Sequence, residues 1–207
     1  MTDLALPFAL ALGLVSGFRH AFEPDHVVAV STLVDGEARI GRSVRLGLVW
    51  GAGHTTTLVI GVLLIGLLKL PVTEDALGWF ELPVAAMLIG LGAWSLRDAI
   101  RPTPREARPH VHAREGWAGY GVGLVHGLAG SGALLLLVAA ALPTLAAGVG
   151  YAVLYGLGSV LGMGAVTLAL SVPLRAAQGR PALYRALVGL AGALSVGLGV
   201  LILAEAL

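Results

Sequence analysis

The sequence contains no cysteine in its 207 residues. Disulfides, thiolate metal sites, iron–sulfur clusters and thiol–disulfide relays are therefore excluded, because each of them needs cysteine sulfur. Without thiolates, we expect a metal site of nitrogen and oxygen atoms, which suit a borderline cation better than a soft one. The lack of cysteine thus limits both the redox chemistry that is open to this chain and the kind of metal ion that it can bind.

Charged residues are also scarce. Only 12% of the chain is Asp, Glu, Lys or Arg and 57% is hydrophobic, against about 25% and about 45–50% in an average soluble domain. The net charge of +1 gives no basic field, so we expect no nucleic-acid partner. Long apolar runs instead predict a single transmembrane domain over residues 1–207. The thirty glycines predict close contacts between helices in lipid.

Six apolar spans are separated by polar or turn-rich stretches. They cover about 4–33, 46–68, 79–97, 117–141, 147–171 and 185–204. As a straight helix the first would be about 45 Å long at 1.5 Å per residue, which exceeds the roughly 30 Å hydrocarbon core. Because Pro24 removes a backbone donor and disfavours helix at Glu23, we predict that the first helix is broken there.

The basic residues fall on one side of the membrane in this arrangement. The loops after the first, third and fifth spans hold eleven of the thirteen Lys and Arg residues, whereas the loops on the other side hold only Lys69. Cytoplasmic loops are enriched in Lys and Arg. We therefore predict a multi-pass protein of the bacterial cytoplasmic (inner) membrane with both termini outside.

The two halves of the chain resemble each other. Three pairs of segments align at a nearly constant offset: 13–21 with 119–127, 50–54 with 155–159, and 89–95 with 196–202. The first pair matches His20 to His126. Each half has three spans, an odd number, so the halves must be inverted in the membrane. We predict an all-α fold of two inverted repeats, a plan common in secondary transporters, with repeats at about 4–98 and 117–207 and a cytoplasmic loop at about 99–116.

Ionisable residues gather inside the first span, where Arg19, His20, Glu23, Asp25 and His26 lie within eight residues. Such groups are costly in a membrane and usually mark an ion or substrate path. On a straight helix His20 and His26 would lie about 240° apart, so only the predicted break can gather them round one ion. Two imidazoles and a carboxylate suit nickel, cobalt, zinc or iron. The alternative is a polar cluster in which Arg19 pairs with a neighbouring carboxylate.

Two further histidines are predicted at comparable membrane depth. His54 lies in the second span, flanked by glycines and followed by three threonines whose hydroxyls we expect to orient the imidazole. His126 is the repeat partner of His20. We interpret both as ligand or path residues, the alternative being packing against a neighbouring helix. His110 and His112 lie in the charged loop, which we interpret as solvated rather than as a metal-acceptor patch.

The segment RHAFEPDHV at 19–27 resembles the H-x4-D-H signature of the nickel/cobalt transporter family, and the GHT tripeptide around His54 resembles that family's second motif. The resemblance implies a secondary permease for Ni²⁺ or Co²⁺ with His20, Asp25 and His26 in the binding site and His54 beside it. The classical members have eight spans and an acidic motif where this chain has GLVHGLAGSGAL. In this respect the chain is similar to the short, urease-accessory type of nickel permease.

The residues and the resemblance together predict uptake of Ni²⁺, or of Co²⁺, by a carrier that is not an enzyme and has no resident cofactor. The predicted metal-site residues are His20, Glu23, Asp25, His26, His54 and His126. The expected partners are the divalent ion and the lipid bilayer, with a link to nickel supply for urease or hydrogenase. A monomer and a homo-oligomer remain alternatives.

Other functions remain open at this point. A secondary carrier runs in whichever direction its gradients dictate, so the same scaffold also serves an exporter of Ni²⁺ or Co²⁺. A membrane haem protein would use His54 and His126 as axial ligands. A carrier of a non-metal substrate is a further alternative. An assembly partner of an amino-acid or anion exporter would keep its activity in a His20→Ala variant.

Overall fold

The computed structural model describes residues 5–34, 40–69, 78–101, 114–127, 131–177 and 179–206, and within these ranges all regular secondary structure is α-helical. The helices are α1 (Ala5–His20), α2 (Pro24–Leu33), α3 (Ile40–Leu68), α4 (Glu81–Ile100), α5 (Arg114–His126), α6 (Ser131–Ala140), α7 (Leu145–Ala176) and α8 (Pro181–Ala206). The predicted all-α class is confirmed. His110 and His112 lie outside the described residues.

Four of these helices, α3, α4, α7 and α8, are long and apolar enough to cross a membrane, with 20 to 32 residues each. The shortest is about 30 Å long at 1.5 Å per residue, which matches the thickness of the hydrocarbon core. They coincide with the predicted second, third, fifth and sixth spans. The predicted first and fourth spans are each divided into two shorter helices, α1 with α2 and α5 with α6.

The break between α1 and α2 lies where the sequence predicts it. Glu23 has an extended backbone (φ −63°, ψ 148°) and Pro24 takes the first position of α2, where its missing N–H leaves no helical hydrogen bond unmade. The N–H of Phe22 donates to the carbonyl of Arg19, and that of Glu23 to the carbonyl of His20, both at 3.0 Å. These bonds close a tight turn between the two helices.

The division of the fourth span was not predicted. Helix α5 ends at His126 and α6 begins at Ser131. Three glycines lie between 127 and 132, and each costs a helix roughly 1 kcal/mol relative to alanine. Gly127 also has a packing reason, because a Cβ there would lie 2.6 Å from the carbonyl oxygen of His54. The two breaks thus follow the two matched histidines of the predicted repeats.

Glycines bring the backbones of α1 and α7, and of α5 and α3, into direct contact. The facing pairs are Gly13 with Tyr151 and Gly17 with Tyr155 along the first helix pair, and Gly119 with Leu46 and Gly123 with Trp50 along the second. Along each helix pair the residue numbers of both helices rise together, so the two helices of a pair are parallel. A side chain at Gly17 or Gly123 would overlap a carbonyl oxygen of the facing helix. The predicted close helix contacts are therefore present.

Helices α4 and α8 form a separate antiparallel pair. Ser95 Oγ donates to the carbonyl of Val188 at 2.9 Å, and Ser195 Oγ donates to that of Leu88 at 2.8 Å. Both hydroxyls are buried, so these bonds satisfy groups that would otherwise be costly inside the membrane.

Helix α2 lies between the α4–α8 pair and the rest of the bundle. Its residues Ala29 and Val30 share one buried apolar cluster with Val84 and Leu88 of α4 and with Trp50 of α3. The N-terminal end of α2, which carries Asp25 and His26, therefore faces both the glycine-packed helices and the α4–α8 pair.

The contact between α3 and α5 can be tested with two glycines of α5 that are two residues apart. Gly121 faces open space, whereas a Cβ at Gly123 would overlap the Trp50 carbonyl. We expect Gly123→Ala to destabilise the protein by about 1–3 kcal/mol, and Gly121→Ala to be neutral or stabilising by up to about 1 kcal/mol. Thermal unfolding of both variants in detergent measures this. Equal melting temperatures would contradict the packing.

Candidate metal centre

The turn after α1 brings the first two histidines together. His20 ends α1 and His26 lies in the first turn of α2, and their ring centroids are 4.2 Å apart. Both side chains are buried. The two imidazoles therefore lie next to each other although they flank the break in the chain. A straight helix would hold them on different faces.

His54 joins this pair from α3. Its Nε2 lies 3.0 Å from Nε2 of His20, and the residue is completely buried. Helices α1 and α3 come this close because they pack on the same helix: Gly17 of α1 and Gly51 of α3 both lie against the backbone of α7. The sequence prediction that His54 lies beside the first-span residues therefore agrees with the structure.

The threonines after His54 have a different role from the predicted one. Thr55 Oγ1 donates to the carbonyls of Gly51 at 2.8 Å and Gly156 at 3.1 Å, and Thr57 Oγ1 donates to that of Leu124 at 2.9 Å. These hydroxyls connect α3 to α7 and α5. The expectation that they orient the imidazole of His54 is wrong, since backbone carbonyls outside the histidine take their hydrogens.

Asp25 and His126 link the two halves of the chain. Asp25 Oδ2 lies 2.9 Å from His126 Nε2, and Asp25 Oδ1 lies 3.0 Å from His26 Nδ1. The rings of His26 and His126 stack with centroids 4.1 Å apart. The sequence also allowed Asp25 to pair with Arg19, but its carboxylate is hydrogen-bonded to these two histidines instead.

Glu23 stands at the edge of the cluster. Its Oε2 lies 3.1 Å from His20 Nδ1, and its side chain is 37% exposed. A cavity of about 310 Å³ begins here and separates the break from the α4–α8 pair; it is lined by Glu23, Pro24, Asp25, Glu81, Val84, Leu198, Ile202 and Glu205. Glu81 and Glu205 were not predicted, because they lie at the far ends of two other helices and no spacing in the sequence connects them to the motif.

All six predicted residues are thus brought together. Two overlapping sets have the ligand atoms of a metal site within 4.8 Å of one another: His20, His26 and His54, and Asp25, His26 and His126. Two nitrogens at about 2.0–2.1 Å from one ion lie about 3.0 Å apart when the angle between them is 90°. The His20–His54 separation equals this value, so these two imidazoles can take one ion with little movement.

The fold and the site define a helical membrane protein with a buried cluster of histidine and carboxylate side chains. The chain belongs to the family of the urease accessory protein UreH. The UreH of Bacillus sp. (strain TB-90) is 31% identical over 210 residues, which cover 97% of this chain and 92% of that protein. This confirms the predicted likeness to urease-accessory proteins.

Two proteins of Arabidopsis thaliana are similar over part of their length. Chloroplast protein FOR GROWTH AND FERTILITY 1 is 30% identical over 173 residues, which cover 75% of this chain and 47% of the plant protein. Chloroplast protein FOR GROWTH AND FERTILITY 2 is 28% identical over 204 residues, which cover 92% of this chain and 55% of the plant protein. No family model and no solved structure matches the chain.

The bond between Asp25 and His126 can be tested by its effect on stability. His126→Ala removes one of the two N–H donors from a largely buried carboxylate, which we expect to cost about 1–3 kcal/mol. Val125→Ala, at an exposed neighbouring position of α5, is the control and should change stability little. Thermal unfolding in detergent compares the two. A His126→Ala melting temperature no lower than that of Val125→Ala would contradict the bond.

Proposed function

We propose that this chain carries Ni²⁺, or Co²⁺, into the cell across the bacterial cytoplasmic membrane, and that the buried histidine cluster binds the ion in transit. The observation that carries the proposal is the convergence of four histidines and one carboxylate inside an apolar helical bundle. Burying so many polar groups in a membrane is costly and is typical of an ion path. The chain is then a carrier and not an enzyme, and the ion is its cargo.

The choice of metal is supported by the donor atoms and by the family. Imidazole nitrogen and carboxylate oxygen suit borderline divalent ions such as Ni²⁺ and Co²⁺. The relative from Bacillus bears the name urease accessory protein. We therefore propose a link to the nickel supply of urease or hydrogenase.

The proposal includes six spans in two inverted repeats that form one domain, with both termini outside. The broken spans would be α1 with α2 and α5 with α6. The support is that three contacts of α1 with α7 have counterparts between α5 and α3 at the offset of the sequence repeat. They are Gly13–Tyr151 with Gly119–Leu46, Gly17–Tyr155 with Gly123–Trp50, and Leu14–Gly158 with Tyr120–Gly53. A repeat in sequence alone would not require the contacts to match.

The proposed direction of transport is supported by the position of the cavity in the proposed topology. Glu81 begins α4, and Arg97 lies sixteen residues further along the same helix, about 24 Å away at 1.5 Å per residue. The cavity therefore opens on the side away from the arginine-rich loops, which we propose to be the outside. Its carboxylates would concentrate external cations next to Asp25.

The moving part is proposed to be the α4–α8 pair. Backbone contacts at glycines join α1 to α7 and α3 to α5, so these four helices resist separation. The cavity lies between the break and the α4–α8 pair. A shift of that pair against α2 would change access to the cluster without opening the glycine contacts.

The transport proposal is tested by ⁶³Ni²⁺ uptake into proteoliposomes. We expect His20→Ala, Asp25→Ala, His26→Ala and His54→Ala each to lower the initial rate at least about tenfold, as loss of a site residue does in metal centres. Asp98→Asn, an exposed carboxylate at the other end of α4, should keep the wild-type rate. Unchanged uptake in all four site variants would refute the proposal.

The direction proposal is tested by the double variant Glu81→Gln/Glu205→Gln in right-side-out vesicles. Removing two carboxylates from the cavity should raise the KM for Ni²⁺ severalfold at low ionic strength and less at high salt, with the maximal rate unchanged. Asp98→Asn is again the control. An unchanged KM, or cells that lose rather than accumulate nickel when the protein is expressed, would favour the exporter.

A further inference from the structure

Asp25 holds two histidines at once, through Oδ1 to His26 Nδ1 and through Oδ2 to His126 Nε2. The residue lies in the first turn of α2, where the helix dipole favours a negative charge. An ionised carboxylate is only an acceptor. Both imidazole nitrogens that face it must therefore carry hydrogen and donate.

This determines whether the other nitrogen of each ring carries hydrogen. A neutral imidazole has one N–H and one bare nitrogen, so Nε2 of His26 and Nδ1 of His126 are bare. Both atoms are completely buried and have no hydrogen-bond partner within the described part of the chain. A doubly protonated ring would leave a charged N–H donor buried without an acceptor, which costs more.

The bare nitrogen of His26 belongs to a ring that lies among the other first-half histidines. Its ring centroid is 4.2 Å from that of His20 and 5.3 Å from that of His54. When an ion binds to these three imidazoles, the His20–His54 contact is the one contact that bonds to the ion must replace. An ion held by the contacting atoms of Asp25, His26 and His126 would have to break both hydrogen bonds of the carboxylate.

We infer that Asp25 is a positioning residue and not a ligand: it holds His26 in the tautomer that presents Nε2 to an ion bound with His20 and His54. The inference rests on the proposed function and assigns a role within the same site. Carboxylates that accept from the distal N–H of a metal-bound histidine are common, and they set both the tautomer and the orientation of the ring.

The experiment compares Ni²⁺-loaded wild type with Asp25→Asn and His26→Ala by X-ray absorption at the nickel edge and by titration calorimetry. Asparagine keeps the size and one acceptor but not the charge. We expect Asp25→Asn to keep the wild-type number of imidazole and other light-atom ligands while the Kd rises about 10–100-fold. His26→Ala should lose one imidazole from the metal shell, and Asp98→Asn should match wild type in both measurements.

Loss of an oxygen ligand in Asp25→Asn with all imidazoles retained would overturn the inference, and so would an unchanged Kd. A wild-type protein that binds no Ni²⁺ would instead refute the proposed function. The tautomer is tested separately, without metal and without an Asp25 variant, by ¹⁵N NMR of histidine-labelled protein with His26 assigned through His26→Gln. An Nδ1–H tautomer supports the inference, whereas an Nε2–H tautomer or a doubly protonated ring overturns it.

Discussion

Contact between helix backbones at glycine is the constraint on which the rest of the structure depends. Lipid offers little hydrophobic force to hold helices together, so close van der Waals packing must do so. At Gly17, Gly53 and Gly123 the facing carbonyl oxygen occupies the place of a side chain. Because Gly17 of α1 and Gly51 of α3 both lie against the backbone of α7, His54 of α3 comes within hydrogen-bonding distance of His20. A larger residue at either glycine would push its helix away from α7 and separate the two histidines.

The polar cluster is possible because each broken helix delivers its side chains at an end and not along a face. His20 and His126 are the last residues of α1 and α5, and Asp25 lies in the first turn of α2. Helix ends leave backbone groups unpaired, and they favour charges that complement the helix dipole. The interior of the bundle can thus hold ionisable groups that a continuous apolar helix would exclude.

The sequence predicts the features that depend on the local chemistry of a helix and on the position of a residue within an apolar span. Pro24 gave the first break, because the loss of an N–H acts on its own helix whatever the neighbours are. His54 and His126 were identified because an isolated histidine in a long apolar run is itself unusual. The second break was missed, since glycines weaken a helix only slightly and the deciding contact of Gly127 is with α3.

What could not be predicted depends on how the helices are rotated and aligned. One of the two partners of Asp25 is a histidine 101 residues away, whereas the sequence offered Arg19, six residues away. Likewise Glu81 and Glu205 meet at one cavity only because α4 and α8 are antiparallel. Such pairings follow from the packing of whole helices, which no short motif encodes.

The glycine-lined helices of each half pack against helices of the other half, and this has a consequence for the order in which the protein assembles during synthesis. Helix α1 packs on α7, and α3 packs on α5. When the first half has entered the membrane during synthesis, its glycine faces have no helix to receive them until the second half follows. Asp25 likewise gains its hydrogen bond with His126 only when the second half is present. The histidine cluster is therefore completed late, so that a chain interrupted midway would lack the assembled site that we propose for the ion.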